Sequence, residues 1–198
     1  MSDSVLRSEL RLAAVAGWLC AAVLLVNTAE SAELLPDAPA TQLVAPLGQI
    51  FAIGFVLGLY LAVRTVGGRL LRAGLVANVA AIAGLTGAAF VLNLVFPYLD
   101  RPRIDDLLAG PLGPALVVVS LFLVVATLTF VAGLWRAGAA PRAALVLYAV
   151  AALPIGLRAF VPELALQSGL VLIAAAIVWL SLWLWQRAAG ARADGAHG

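Results

Sequence analysis

"LGPALVVVSLFLVVATLTFVAGL", residues 112–134, contains no charged side chain. Its apolar residues run continuously instead of alternating, which reads as a helix and not as a barrel strand. At 1.5 Å per residue the run is about 35 Å long, enough to cross a hydrocarbon core of roughly 30 Å. Lipid offers no partner for backbone N–H and C=O groups. A helix satisfies its own, so a helix is the form such a run takes.

Five further segments outward from this run meet the same criterion: about 12–29, 43–63, 73–96, 143–161 and 166–186. The sequence therefore predicts an all-α, polytopic six-transmembrane-helix bundle, forming a single integral membrane domain. Residues 187–198 are expected to be a disordered cytoplasmic tail. Composition points the same way. Of the 198 residues, 64% are hydrophobic and 11% charged, with a mean hydropathy of +1.09. Soluble domains carry about 25% charge, and too few polar groups exist here to cover a globule in water.

The arginines predict orientation through the excess of positive charge on cytoplasmic loops. With both termini inside, Arg7, Arg11, Arg64, Arg69, Arg72, Arg136, Arg142, Arg187 and Arg192 are inner, and only Arg101, Arg103 and Arg158 are outer. Acids gather outside, at Glu30, Glu33, Asp37, Asp100, Asp105, Asp106 and Glu163. Trp135, Trp179, Trp183 and Trp185 lie beside the inner arginines as interfacial anchors. The expected address is the plasma (inner) membrane, multi-pass, with both termini cytoplasmic. The first apolar run is expected to stay uncleaved: Glu30 occupies a position that signal cleavage after Ala32 would want small, and Leu19 precedes Cys20 where a lipoprotein site wants a small residue.

Odd spans open with "RLAAVAG" (11–17), "RAGLVAN" (72–78) and "RAALVLY" (142–148), and even spans close with "GLYLAVR" (58–64), "AGLWR" (132–136) and "LWLWQR" (182–187). The pattern reads as three parallel helical hairpins, related by an axis along the membrane normal. Gly54 with Gly58, and Ala80, Gly84 and Ala88, carry small residues four apart, a spacing that lets helix backbones approach. They serve either packing within the bundle or a face for a homo-oligomer or membrane-protein partner.

"LPIGLRAFVPE", 153–163, sets Arg158 inside an apolar run between two prolines. Counted from Arg142, Arg158 is 16 residues in, about 24 Å along the helix, one turn below the outer surface. Asn27 reaches the same depth when counted from Arg11. Gln49, Asn93 and Gln167 also lie toward the outer side. Pro154 is expected to kink the helix and open space beside the arginine. Three readings of Arg158 remain open. It snorkels to the headgroups, it pairs with an acid such as Glu30, Glu33, Asp100 or Glu163, or it holds an anionic ligand in an outward cavity with Asn27, Gln49, Asn93 and Gln167. "FPYLDRPRIDD" (96–106) reads as a solvated, self-paired cap or a gate, and the loop holding Leu34 and Leu35 as a segment on the membrane surface.

The remaining chemistry is sparse. Twelve basic residues are all arginine, which fits a GC-rich genome and leaves no lysine for a Schiff-base cofactor. One cysteine, Cys20, cannot form an internal disulfide, and one histidine, His197, lies near the C-terminus. No spacing suits a metal or haem, no serine has an activating histidine, and no phosphate-binding glycine loop follows a strand. No basic stripe supports nucleic-acid binding. No carboxylate sits in a span core for proton coupling, and no span repeats arginines for voltage sensing.

With these openings, outer prolines and a last span ending "WLSLWLWQR", the chain resembles the small multi-span membrane proteins of GC-rich bacteria, mostly uncharacterised. It departs from them at Gln49, where such proteins often open the second span with a histidine. The resemblance covers nearly the whole chain, rests on pattern and implies a plasma-membrane protein without assigning site residues. The expected function is a non-enzymatic accessory, structural or sensing component without cofactor or metal. The alternative is a small transporter or binding protein for an anionic or amphipathic solute, using the polar layer around Arg158.

Overall fold

The computed structural model describes residues 3–32, 39–158 and 160–190. Among these the chain is all-α: α1 (Asp3–Ser31), α2 (Pro39–Val63), α3 (Arg69–Leu94), α4 (Arg101–Ala109), α5 (Leu112–Ala137), α6 (Arg142–Gly156) and α7 (Glu163–Gly190), with a single 3₁₀ turn at Phe96–Tyr98. Five of them, all but α4 and α6, are long and apolar enough to cross a membrane.

The segment expected to span 143–161 differs from the reading of the sequence. Its helix stops at Gly156 after 15 residues. Pro154 has no N–H for the carbonyl of Val150, Gly156 is a weak helix former, and Pro162 biases the residue before it out of the helical region. The chain turns instead. The Leu157 N–H donates to the Leu153 carbonyl at 2.9 Å and the Phe160 N–H to the Leu157 carbonyl at 2.8 Å. The kink expected beside Arg158 is thus a helix end. At the C-terminus α7 continues to Gly190, so residues 187–190 are helix and not tail. Residues 191–198, with Arg192 and His197, and the loop holding Leu34 and Leu35 lie outside the described residues. The charged stretch after α3 holds a short helix that the sequence reading missed. Its Arg103 Nε lies 3.4 Å from Asp100 Oδ1, the self-pairing expected there, between groups too exposed for the bond to add much stability.

α1 packs on α2, α3 on α5 and α6 on α7. Contacts of α2 with α3, α5 with α6 and α7 with α1 close these pairs into a ring. Short connections make α2 and α3, and α5 and α6, antiparallel, and the contacts of Gly74 with Phe130 and of Gly133 with Leu71 make α3 and α5 so, and Arg64, Arg69, Arg72, Arg136, Arg142 and Arg187 collect at one end of the ring. Guanidinium groups there lie over indole rings: Arg11 over Trp185 at 5.3 Å, Arg142 over Trp135 at 5.5 Å and Arg187 over Trp183 at 5.4 Å. Such cation–π pairs suit a boundary where one side of the residue is apolar and the other wet.

Small residues set the helix spacing. A Cβ on Gly74 would lie 2.6 Å from the Cα of Phe130, and one on Gly133 would lie 2.6 Å from the Cα of Leu71. α3 and α5 therefore touch backbone to backbone through a reciprocal glycine pair. Gly54 and Gly58 face Ala16 and Ala13 of α1, and Gly84 faces Val119 of α5. These contacts fill much of the small-residue faces within the chain, while Ala80 is exposed.

The packed core lies in the arginine-rich half, where Phe55, Leu59, Leu71, Phe130, Leu134 and Leu180 are fully buried. The outer surface is apolar around the circumference. Val76 on α3 is 70% exposed and Val118 on α5 64%, and α1, α2, α6 and α7 likewise expose leucine, isoleucine or valine. Water would not tolerate so continuous an apolar surface. Lipid does, and it also explains the hydroxyls. Thr28, Thr86, Thr129 and Ser168 each donate to the carbonyl four residues earlier, at 2.7–2.8 Å, so each hydroxyl is satisfied within its own helix.

α5 ends at Gly138, whose φ of 70° lies in the left-handed region and whose N–H bonds the carbonyls of Leu134 and Trp135. Gly138→Ala keeps that geometry only under strain. It is expected to cost about 1 kcal/mol, read as a lowered melting temperature in detergent.

Candidate functional site

The acidic half of the ring holds a cavity of about 520 Å³, within the usual range of small-molecule sites. Six helices line it, each with a stripe at helical spacing: Cys20, Leu24 and Asn27 from α1, for example, and Ser120, Leu123 and Thr127 from α5. These are the inward faces of the ring. The burial of the lining shows which way the cavity opens. Cys20, Asn78, Thr127 and Tyr148 are buried, whereas Arg158 and Glu163 are exposed. The floor therefore lies deep, near mid-helix, and the mouth lies at the acidic end. The packed core closes the cavity toward the arginine-rich end.

Four of the five side chains singled out from sequence line this one cavity: Asn27, Gln49, Asn93 and Arg158. They come from α1, α2, α3 and the turn after α6. Gln167 is not in the lining. It is one residue on from Leu166, about 100° around α7, and its Nε2 donates to Glu163 Oε1 at 3.3 Å. Asn93 Nδ2 donates to the Ala89 carbonyl at 2.8 Å. Asn27 Oδ1 is buried without a partner. Arg158 makes no ion pair or hydrogen bond with a described residue, so the ion-pair reading finds no partner among Glu30, Asp100 and Glu163; Glu33 lies outside the described residues. Glu163 shares the mouth, at the first turn of α7, where the helix dipole favours a carboxylate.

The floor holds no residue to which the sequence assigned a role in the site. Asn78, 1% exposed, donates from Nδ2 to Thr127 Oγ1 at 3.1 Å, and its Oδ1 is buried with no partner. Cys20 and Tyr148 complete this level. An amide in an otherwise apolar span was visible in the sequence. Its alignment with Thr127, 49 residues later, depends on α3 and α5 being neighbours. Among the described residues, no group of three or more His, Cys, Asp or Glu side chains is placed to hold a metal.

A ring of apolar helices around a cavity with one arginine and several amides defines the class as a helical membrane protein with a central polar cavity. No family model, curated protein or solved structure matches the chain.

Proposed function

We propose that this chain is a multi-pass protein of the bacterial plasma (inner) membrane, with six spans and both termini cytoplasmic, that binds an anionic amphiphile from the outer side without catalysing a reaction. The carrying observation is that Asn27, Gln49, Asn93 and Arg158, far apart in sequence, line one cavity. A guanidinium with amide donors around it is suited to a carboxylate or phosphate head, and the leucine and alanine walls below suit an alkyl chain. The arginine-rich end with its tryptophans supports the inward orientation, and the pairing of α1–α2, α3–α5 and α6–α7 suits three parallel hairpins. As a span, α6 covers about 22 Å. Its shortness supports a position for Arg158 below the outer headgroups, within reach of both them and the cavity. The resemblance to the small membrane proteins of GC-rich bacteria belongs to the same reading. The packed core below the floor favours binding or sensing over passage.

Asn27→Cys, Gln49→Cys and Asn93→Cys on a Cys20→Ala background test this reading. A membrane-impermeant thiol reagent added to intact cells is expected to label all three, with palmitate slowing the reaction. Labelling only after permeabilisation would reverse the orientation. Labelling that palmitate leaves unchanged would remove the ligand.

A further inference from the structure

The floor of the cavity is an acceptor in search of a donor. Burying an amide oxygen without a hydrogen bond is costly, more so away from water. Thr28 and Thr86 avoid that cost by bonding back to their own helices. Asn78 does not. Its Nδ2 donates to Thr127 Oγ1 at 3.1 Å, an arrangement that leaves Oδ1 as the free end. Oδ1 is buried and unpartnered, and the residue lines the cavity. Asn78 and Asn93 both belong to the cavity wall of α3, fifteen residues apart, about 22 Å along the helix. Between them the wall is apolar, formed by residues such as Ile82, Leu85, Ala89 and, across the cavity, Leu123 and Ile173. The α3 wall of the cavity is thus polar at both ends and apolar between.

We propose that Asn78 Oδ1 and Thr127 form a second polar subsite, so that the ligand is a single-chain amphiphile carrying a hydroxyl or similar hydrogen-bond donor at the end remote from its anionic head. This rests on the cavity being the ligand site proposed above. A plain methyl end would leave Asn78 Oδ1 unpaired. A terminal hydroxyl would donate to it and complete the amide's bonding.

The test uses the full chain in mild detergent, with palmitate and ω-hydroxypalmitate competing against radiolabelled palmitate. The parent is expected to bind the hydroxy acid at least as tightly as palmitate. Asn78→Leu is expected to keep palmitate binding and to lower the hydroxy acid's affinity relative to palmitate by about tenfold. Thr127→Val, close in shape to the parent, frees the amide to turn and should lower the same ratio by a smaller factor, which keeps the test open if Asn78→Leu does not fold. A ratio unchanged in both variants, with palmitate still bound, overturns the floor subsite and leaves the cavity as a ligand site. Binding of neither acid to the parent overturns both.

Discussion

Gly74→Leu is expected to abolish the folded protein. Two backbones meet at that glycine, and a Cβ there would lie 2.6 Å from Phe130 Cα and 2.7 Å from its nitrogen. Flexible side-chain ends can move aside, but backbone in the middle of a helix cannot without displacing the whole element. Leucine adds three more carbons to that clash, and the reciprocal contact of Gly133 with Leu71 separates with it. Gly74→Ala is the milder case. Overpacking of this kind costs about 1–3 kcal/mol, a fall of roughly 5 °C in melting temperature for a chain of this size. Gly87 supplies the control, since a Cβ on it meets nothing within 4 Å. Gly87→Ala should melt at the parent's temperature or slightly above, because alanine is the better helix former. Size-exclusion profiles and tryptophan-fluorescence melts of the three variants in one detergent decide the matter. Equal melting of Gly74→Ala and Gly87→Ala would mean that α3 and α5 do not meet as described.

Arg158→Leu is the second large effect, on binding and not on folding. Arg158 has no described partner to lose and lies on an exposed turn outside α6, so its removal should leave the melting temperature close to the parent's. Palmitate affinity should fall at least about tenfold, the scale of a hydrogen bond to a charged group at roughly 1.5–3 kcal/mol. Methyl palmitate, with no charge for the guanidinium to meet, should bind parent and variant alike. Arg158→Lys keeps the charge without the planar fork and should fall between. Equal losses for acid and ester would assign Arg158 to the shape of the cavity instead of to the ligand's head. An unchanged affinity for both would leave snorkelling as its role.

The placement of Arg158 also shows how depth can be read from sequence. Counting from Arg11 and Arg142 puts Asn27 and Arg158 at one level, and both line the cavity. Depth is legible because rise per residue is fixed by the helix itself. Angle is not. Gln167 has the right depth, yet one residue's rotation takes it out of the lining to pair with Glu163. Asn78 was visible as an isolated amide, but its partner Thr127 becomes known only when α3 is seen beside α5. The end of α6 lies between these cases. Pro154, Gly156 and Pro162 are all in the sequence, and their joint effect is to stop the helix where a single proline would bend it.

By itself the sequence determined the class of this protein: all-α and apolar, with five helices long enough for lipid. Each of those helices closes its own backbone hydrogen bonds, so length and composition suffice to place it. The order of the helices in the ring, and the face each turns inward, were decided only by tertiary structure. In water the apolar face of a helix points to the core and the pattern can be read. In a bilayer the outside is as apolar as the inside, and contact between glycines, not hydrophobicity, selects the neighbour. Gly74 against Phe130 and Gly133 against Leu71 make that selection, and through it Asn78 meets Thr127 at the floor of the cavity.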